Sequence, residues 1–247
     1  MGIDRPYKRT SRQLVNGTYR ASGNGKYVSH PNFATSPHHY QRAFSVLQKD
    51  FLALLDYIEP ASENLNCYSY RTHEILMRAC IEIEANFQAI FADNGYSIKK
   101  PNIKDYEKIE ASHRLSSYRV RLPTWHGDGE VRQPFGAWAE GNPLRWYQIY
   151  SRSKHNRHEL FHDANFEATV DAMCGLTAVI TAQFMNEDFS LDNYLVRESS
   201  RTDGFETAIG GYFHVSYPTD WPDDERYDFD WKGLQTEDDP FQQFDFR

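Results

Sequence analysis

The sequence predicts a mainly α protein: a helical bundle with a small β-hairpin insertion at about residues 116–142 and irregular N- and C-terminal extensions. Apolar residues recur at i, i+3 and i+4 in several long segments, which is the pattern of helices that bury one face. Strand-like alternation is confined to short stretches. Neither a βαβ alternation nor a glycine-rich phosphate loop is found, so a nucleotide-binding α/β enzyme is not expected.

Two helices are predicted first along the chain. Residues 39–58 carry an apolar stripe and end before Pro60. Residues 68–95 form the strongest pattern, and Gly95 is a suitable residue just beyond a helix end. Both segments are therefore expected to contribute a long helix face to the core.

The remaining elements follow in order. Asn102 is expected to cap a short helix over 103–115. After the hairpin, Pro143 is expected in the first turn of a helix that runs through 144–157. Residues 165–184 are apolar on most sides, which predicts the central helix of the bundle, and a single strand is expected within 210–218.

Composition and charge divide the chain into three segments. Residues 1–37 form a basic irregular arm, 38–190 the helical bundle domain, and 191–247 an acidic aromatic extension that packs on the bundle. The whole chain has a net charge of −8. Residues 220–247 hold ten acidic and three basic residues, a net charge of −7. The arm and the tail are candidates to contact each other, another subunit or a polyanion; the alternative is two solvated ends.

Localisation is expected to be cytoplasmic. The first twelve residues are polar and basic, and the longest weakly polar run, 172–182, is too short to span a bilayer. The three cysteines are widely spaced, which favours a reducing compartment without a disulfide framework. We therefore expect a soluble protein with no membrane association.

The segment "SKHNRHELFHDANF" at 153–166 has two incompatible interpretations. His158, Glu159 and His162 spell H-E-x-x-H, in which two imidazoles on one helix face bind zinc and the Glu acts as a general base. A third ligand is needed, and an extended box would place a His where Ala168 stands. Glu187 is the candidate that remains, so a zinc-dependent hydrolase is the third-ranked function.

The other interpretation is a metal-independent ribonuclease of the R-x4-H type, with Arg157 and His162 as its signature. Such chemistry needs an imidazole to take the 2′-hydroxyl proton and a cation to stabilise the phosphorane. His155 or His158 is the expected base, with Arg157 and Lys154 on the phosphate. On a straight helix Arg157 and His162 point apart, so the helix must begin or bend between them, or a second chain must supply the partner.

Further residues are expected to support this site. The RNA-contacting candidates, interleaved with aromatic residues, are Arg145, Arg152, Lys154 and Asn156. On the 68–95 helix, His73 and Glu84 lie at the edge of the apolar stripe, where a charged group needs a partner. Glu84 is expected to meet Lys154 or Arg157, either as part of the site or as a structural ion pair between helices.

A family resemblance follows from these residues. The segments 146–184 and 68–91 resemble a bacterial family of uncharacterised proteins whose box reads Y-N-x-x-K-H-[DN]-R, followed by Phe and an Ala-rich helix. The likeness extends over most of 68–245. Ser151 departs from the family pattern, which has Asn there. The matching box residues are Lys154, His155, Asn156, Arg157 and Phe161.

That box in turn resembles the R-x4-6-H region of HEPN domains, which are α-helical bundles. The resemblance implies a HEPN-like fold and metal-independent RNA cleavage or RNA binding, in a toxin or anti-phage defence setting. It also implies a homodimer and a partner protein from the same operon, with RNA as the ligand and neither cofactor nor metal. The main alternative is a non-catalytic helical module for assembly or interaction, since some HEPN domains are inactive.

Overall fold

A computed structural model of the chain describes residues 2–189 and 203–247, and within them the protein is mainly α with a small antiparallel sheet. The first twelve residues of the predicted C-terminal extension, 191–202, lie outside the described residues. Among the described residues, no helix is both long enough and apolar enough to cross a membrane. The helices are α1 Pro37–Leu55, α2 Tyr70–Asp93, α3 Ile103–Tyr106, α4 Ile109–His113, α5 Arg145–His155, α6 Arg157–Leu160, α7 Phe166–Phe184 and α8 Trp231–Leu234.

Helix α7 is the centre of the bundle, as its apolar sequence predicts. It packs against α1, α2 and α5, and the sheet covers another side. Its residues from Ala168 to Phe184 are almost all buried, so no polar face is needed. At Gly175 a Cβ atom would stand 3.3 Å from the Trp146 ring and 3.4 Å from Ile83, so a side chain there would crowd the neighbouring helices. The absence of a side chain at Gly175 thus allows α5 and α2 to pack close to α7.

Helix α2 also confirms its prediction. Its first turn is closed by a capping box in which Ser69 and Thr72 exchange side-chain and backbone hydrogen bonds. It ends at Asp93, and Gly95 follows with a φ of 71°, which glycine adopts without strain. The predicted apolar stripe is buried throughout: Leu76, Ala79, Cys80, Ile83, Phe87, Ile90 and Phe91.

The sheet joins two segments that the sequence analysis treats separately. Its strands are β1 Arg119–Arg121, β2 Val131–Arg132, β3 Glu206–Thr207 and β4 His214–Ser216. All neighbours are antiparallel, in the order β2-β1-β4-β3. The predicted hairpin and the predicted later strand are both present. They are paired through Val120 and Val215, so the hairpin is part of a sheet shared with the C-terminal extension.

Three boundaries differ from the prediction. Helix α1 ends at Leu55 rather than 58, because the chain tightens there to an i+3 hydrogen bond from Tyr57 N to Leu54 O before it reaches Pro60. The predicted helix over 103–115 is two short helices, since the chain tightens to i+3 hydrogen bonds from Glu110 to Glu107. Helix α5 begins at Arg145, so Pro143 lies before the helix rather than in its first turn.

The basic arm has little regular structure, as predicted, but it is packed into the core. Arg9 and Arg12 are 0% and 1% exposed, and a 3₁₀ segment over Ala21–Ser29 buries Tyr27. The arm contacts the acidic tail directly: Arg5 pairs with Glu237, and Lys8 with Asp239 at 3.1 Å. Of the alternatives for the two termini, the structure therefore shows contact with each other.

Candidate functional site

The box segment does not form one helix. Helix α5 ends at His155, and Asn156 leaves the helical conformation with φ −138° and ψ 61°. Helix α6 covers Arg157–Leu160, and the chain then tightens into a 3₁₀ turn over Phe161–Asp163. Arg157 and His162 therefore lie on different elements. Between them the chain changes from α to 3₁₀ geometry at Leu160, which has φ −111° and ψ 17°.

The change from α to 3₁₀ geometry also removes the single helical face on which a zinc box places its two imidazoles. His158 lies on α6, whereas His162 lies in the following 3₁₀ turn and its Nε2 is 3.3 Å from Asp163 Oδ1. Glu159 accepts a hydrogen bond of 2.6 Å from the Asn156 amide. Glu187 follows the far end of α7, a helix of 19 residues and roughly 28 Å, so it is too distant to be the third ligand. Within the described ranges no three His, Cys, Asp or Glu side chains cluster as a metal site would require.

Most of the box side chains are exposed. Arg145 is 75%, Arg152 58% and His162 63% exposed as side chains. The five residues from Lys154 to His158 are exposed as well. We use the name box surface for the exposed side chains of 152–162 together with Tyr68 and Tyr70, which adjoin them.

Phe161 links this surface to the first turn of α2. Its ring centroid lies 4.7 Å from that of Tyr70, 5.5 Å from that of His73 and 6.0 Å from that of Tyr68. Tyr68 in turn lies 6.4 Å from the His162 ring. Although they pack on Phe161, Tyr68 and Tyr70 remain 55% and 74% exposed. The result is a cluster of aromatic rings open to solvent beside exposed imidazoles.

Sequence reasoning missed Tyr68 and Tyr70 as site residues. A signal was present, because two aromatic residues flank the capping Ser69 at a helix start, outside the apolar stripe of α2. Their approach to Phe161 was not readable from the sequence, because the two segments lie some ninety positions apart in the chain.

His73 lies beneath this cluster, as its position at the stripe edge predicted. Its Nε2 atom is buried and has no hydrogen-bond partner among the described residues. Burial first, and then the positive charge of Arg157, hold the pKa of His73 below its usual value. The ring is therefore neutral at neutral pH.

Glu84 does not make the predicted ion pair. The Tyr147 hydroxyl donates to Glu84 Oε1 at 2.6 Å, while Lys154 Nζ donates to the Tyr150 hydroxyl at 3.4 Å. Burial and the neighbouring Glu84 carboxylate raise the pKa of both tyrosines. The register of α5 explains the difference, because the two buried tyrosines occupy the face toward Glu84 and leave Lys154 near the end of the helix.

The exposed cations on and next to the box surface fall into two groups. Arg145 pairs with Glu167 at 3.1 Å, and Arg152 lies 3.7 Å from Asp163. By contrast, Lys154 and Arg157 have no carboxylate within ion-pair distance in the part of the chain that the structure describes. These two positive charges are thus available to an anionic ligand.

Comparison of the chain with protein-family models, with curated proteins and with solved structures finds no match. Unpaired cations attract phosphate groups, exposed aromatic rings stack on bases, and imidazoles transfer protons near neutral pH.

Proposed function

We propose that the box surface binds single-stranded RNA and cleaves it without a metal ion. One observation carries the proposal: the exposed rings pack on Phe161, directly after the short helix α6 that begins with Arg157, an exposed cation with no carboxylate partner among the described residues. Proteins that bind single strands combine aromatic stacking of bases with cationic contacts to the backbone. Double-stranded RNA offers no unstacked base to such rings, so the preferred ligand is unpaired.

The cleavage step uses the 2′-hydroxyl of the RNA as the nucleophile. An imidazole of His155, His158 or His162 takes its proton, the oxygen attacks the adjacent phosphorus, and Arg157 with Lys154 stabilises the phosphorane. The 5′-oxygen then leaves with a proton from a second imidazole or from water. The products are a 2′,3′-cyclic phosphate and a 5′-hydroxyl. Asp163, 3.3 Å from His162, orients that ring.

The HEPN-like assignment and a homodimer across the box surface belong to the same proposal. The central position of α7 and the bend at Asn156 support the bundle part of it. A defence setting and an operon partner rest on the family resemblance alone. Sedimentation of the purified chain, with and without a single-stranded oligonucleotide, tests the dimer; a monomer at all concentrations would contradict it.

The first experiment incubates the purified chain in EDTA with tRNA and with an unstructured oligoribonucleotide. We expect cleavage that survives EDTA, leaves 2′,3′-cyclic phosphate ends and is lost in Arg157→Ala. Arg42→Ala is the matched control, since it removes an exposed arginine from α1 instead. Intact RNA with the wild-type chain would overturn the cleavage part of the proposal.

Binding is measured separately, so that a chain that binds without cutting is recognised. Phe161→Ala removes the ring on which the exposed Tyr68 and Tyr70 pack, and is expected to weaken binding of the oligoribonucleotide about 5- to 150-fold, because stacking of one base on an aromatic ring contributes about 1–3 kcal/mol. Wild-type binding with no cleavage would favour the non-catalytic alternative. Affinity unchanged in both Phe161→Ala and Arg157→Ala would place RNA elsewhere and contradict the proposal.

A further inference from the structure

A second candidate site lies away from the box surface. A cavity of about 640 Å³ opens between the N-terminal arm, the hairpin segment and the C-terminal extension. Its volume falls within the range of small-molecule sites. The arm that forms one wall meets the C-terminal end of α7, where Ser11 N donates to Ala182 O at 2.9 Å. The box surface precedes the opposite end of that helix, so the two sites are separate.

The lining of the cavity holds one cation, Arg119, and two carboxylates, Glu206 and Asp220. Each of its two carboxylates has an arginine partner: Glu206 pairs with Arg20 at 3.1 Å, and Asp220 pairs with Arg114. Arg119 is exposed on β1, and its guanidinium contacts the Ser216 hydroxyl at 3.4 Å. Within the described ranges Arg119 has no carboxylate within ion-pair distance. Because both carboxylates are paired with arginines, Arg119 is left to receive an anionic group of a ligand.

One wall is aromatic and rigidly held. The rings of Tyr19 and Tyr217 have centroids 4.7 Å apart. The Tyr19 hydroxyl donates to Pro218 O at 3.0 Å and accepts from the Trp221 indole N–H at 2.9 Å. A planar ring of the ligand can stack against this aromatic wall, because the orientation of the wall is fixed before binding.

The third feature is an acceptor that lacks a donor. Gln13, also in the wall, is 4% exposed, and its amide nitrogen donates to Gly17 O at 2.8 Å. Its carbonyl oxygen Oε1 has no hydrogen-bond partner among the described residues. Buried polar atoms are nearly always paired, so this buried, unpaired oxygen on a side chain of the cavity wall points to a missing partner. A ligand N–H supplies it when the Gln13 side chain turns toward the cavity.

We propose that this cavity binds a nucleoside 5′-monophosphate. The phosphate contacts Arg119 and Ser216, the base lies against Tyr19 and Tyr217, and an amino group of the base donates to Gln13 Oε1. The size of the cavity, the position of Arg119 and the aromatic wall favour this ligand over inorganic phosphate or a nucleoside alone. The proposal does not depend on RNA binding at the box surface.

The test is isothermal titration of the full chain with AMP, CMP, GMP and UMP, and with adenosine and inorganic phosphate as separate arms. We expect the amino-bearing nucleotides to bind more tightly than UMP, adenosine or phosphate. Arg119→Gln changes an exposed side chain. It should weaken the binding of AMP at least tenfold and leave the affinity for adenosine unchanged. Gln13→Leu should weaken the binding of AMP and of adenosine by the same factor. Thermal unfolding checks that this variant is folded. Arg42→Gln is the matched control and should have no effect.

Three results would overturn the proposal. The first is no measurable binding of any nucleotide at millimolar concentration, or equal binding by wild type and Arg119→Gln. The second is AMP binding that is lost in Phe161→Ala and intact in Arg119→Gln, which would show that the nucleotide binds at the box surface instead. A phosphate affinity equal to that of AMP would reduce the site to an anion site and contradict the role of the base.

Discussion

Two basic regions of this chain differ completely in how their charges are used. In the arm, the guanidinium of Arg9 is held by Asp93, by Gln183 Oε1 at 2.8 Å and by the Thr35 carbonyl, and the side chain is fully buried. On the box surface, Lys154 and Arg157 are exposed and, in the described part of the chain, have no carboxylate partner. Buried arginines with complete partners hold the fold, whereas exposed cations without partners are available to a ligand.

Arg12 shows the same use of charge as Arg9. Its guanidinium donates to the backbone carbonyls of Ala111, Ser112 and Glu225 and lies 4.5 Å from the Trp221 ring. One arm residue thus joins α4 to the C-terminal extension. Arginine suits this position because its planar fork satisfies several acceptors at once.

The largest effect on stability is expected for Arg9→Ala. It leaves Asp93 without its cation in a mostly buried position, and breaking one partner of such a pair costs about 3–5 kcal/mol. Urea unfolding measures the loss. Arg152→Ala is the control, because its 58% exposed side chain should contribute less than about 1 kcal/mol. Equal losses in the two variants would remove the distinction between the arm and the box surface.

A pH effect is expected from His113, which is fully buried beside the arm. Its Nε2 lies 3.0 Å from the Arg9 carbonyl, which only accepts, so Nε2 carries the proton and Nδ1 accepts from the Ser112 hydroxyl. Burial lowers the pKa of His113 to about 3 from 6.5, so the folded state excludes a proton that the unfolded state binds. Stability from this group is present above pH 6.5 and is lost as pH falls below that value.

His113→Gln isolates this contribution, because the other titrating groups remain in both chains. The stability advantage of the wild type over the variant should shrink by about 2 kcal/mol between pH 7 and pH 5. Urea unfolding at both pH values measures it. An advantage that stays constant or grows toward pH 5 would show that His113 is not held neutral.

A smaller effect is expected at the boundary between the box and the core. The Asn165 side chain accepts a hydrogen bond of 3.0 Å from Ala168 N and caps α7. Asn165→Ala should cost about 1 kcal/mol of unfolding free energy. Asn165→Asp, which keeps the acceptor, should retain most of the stability. A loss of the same size in both variants would argue against the cap.

The smallest effect on stability is expected for Arg157→Ala, at about 0.5 kcal/mol or less, because the side chain is exposed. The same variant should reduce the slope of log affinity for single-stranded RNA against log salt by about 0.7, the value for one lost phosphate contact. Fluorescence anisotropy over a salt series measures the slope. A large loss of stability with an unchanged slope would make Arg157 structural, like Arg9.

Prediction from the sequence succeeded where the signal is local. Helices α2 and α7 follow from their apolar periods, and the end of α2 follows from Gly95. The partner of Glu84 could not be predicted in the same way. Helical spacing placed it on the correct face, but the register between α2 and α5 decided that Tyr147, rather than Lys154, would contact it.

The sequence by itself determined the mainly α class, the central helix and the concentration of cations and imidazoles in 152–162. These are properties of residue order and period. Only the tertiary structure decided that Arg9 is buried while Arg157 is exposed, and that H-E-x-x-H does not lie on one helix. The pairing of β1 with β4 joins residues almost a hundred positions apart. Burial, register and long-range pairing depend on which segments meet, and that is set by packing of the whole chain.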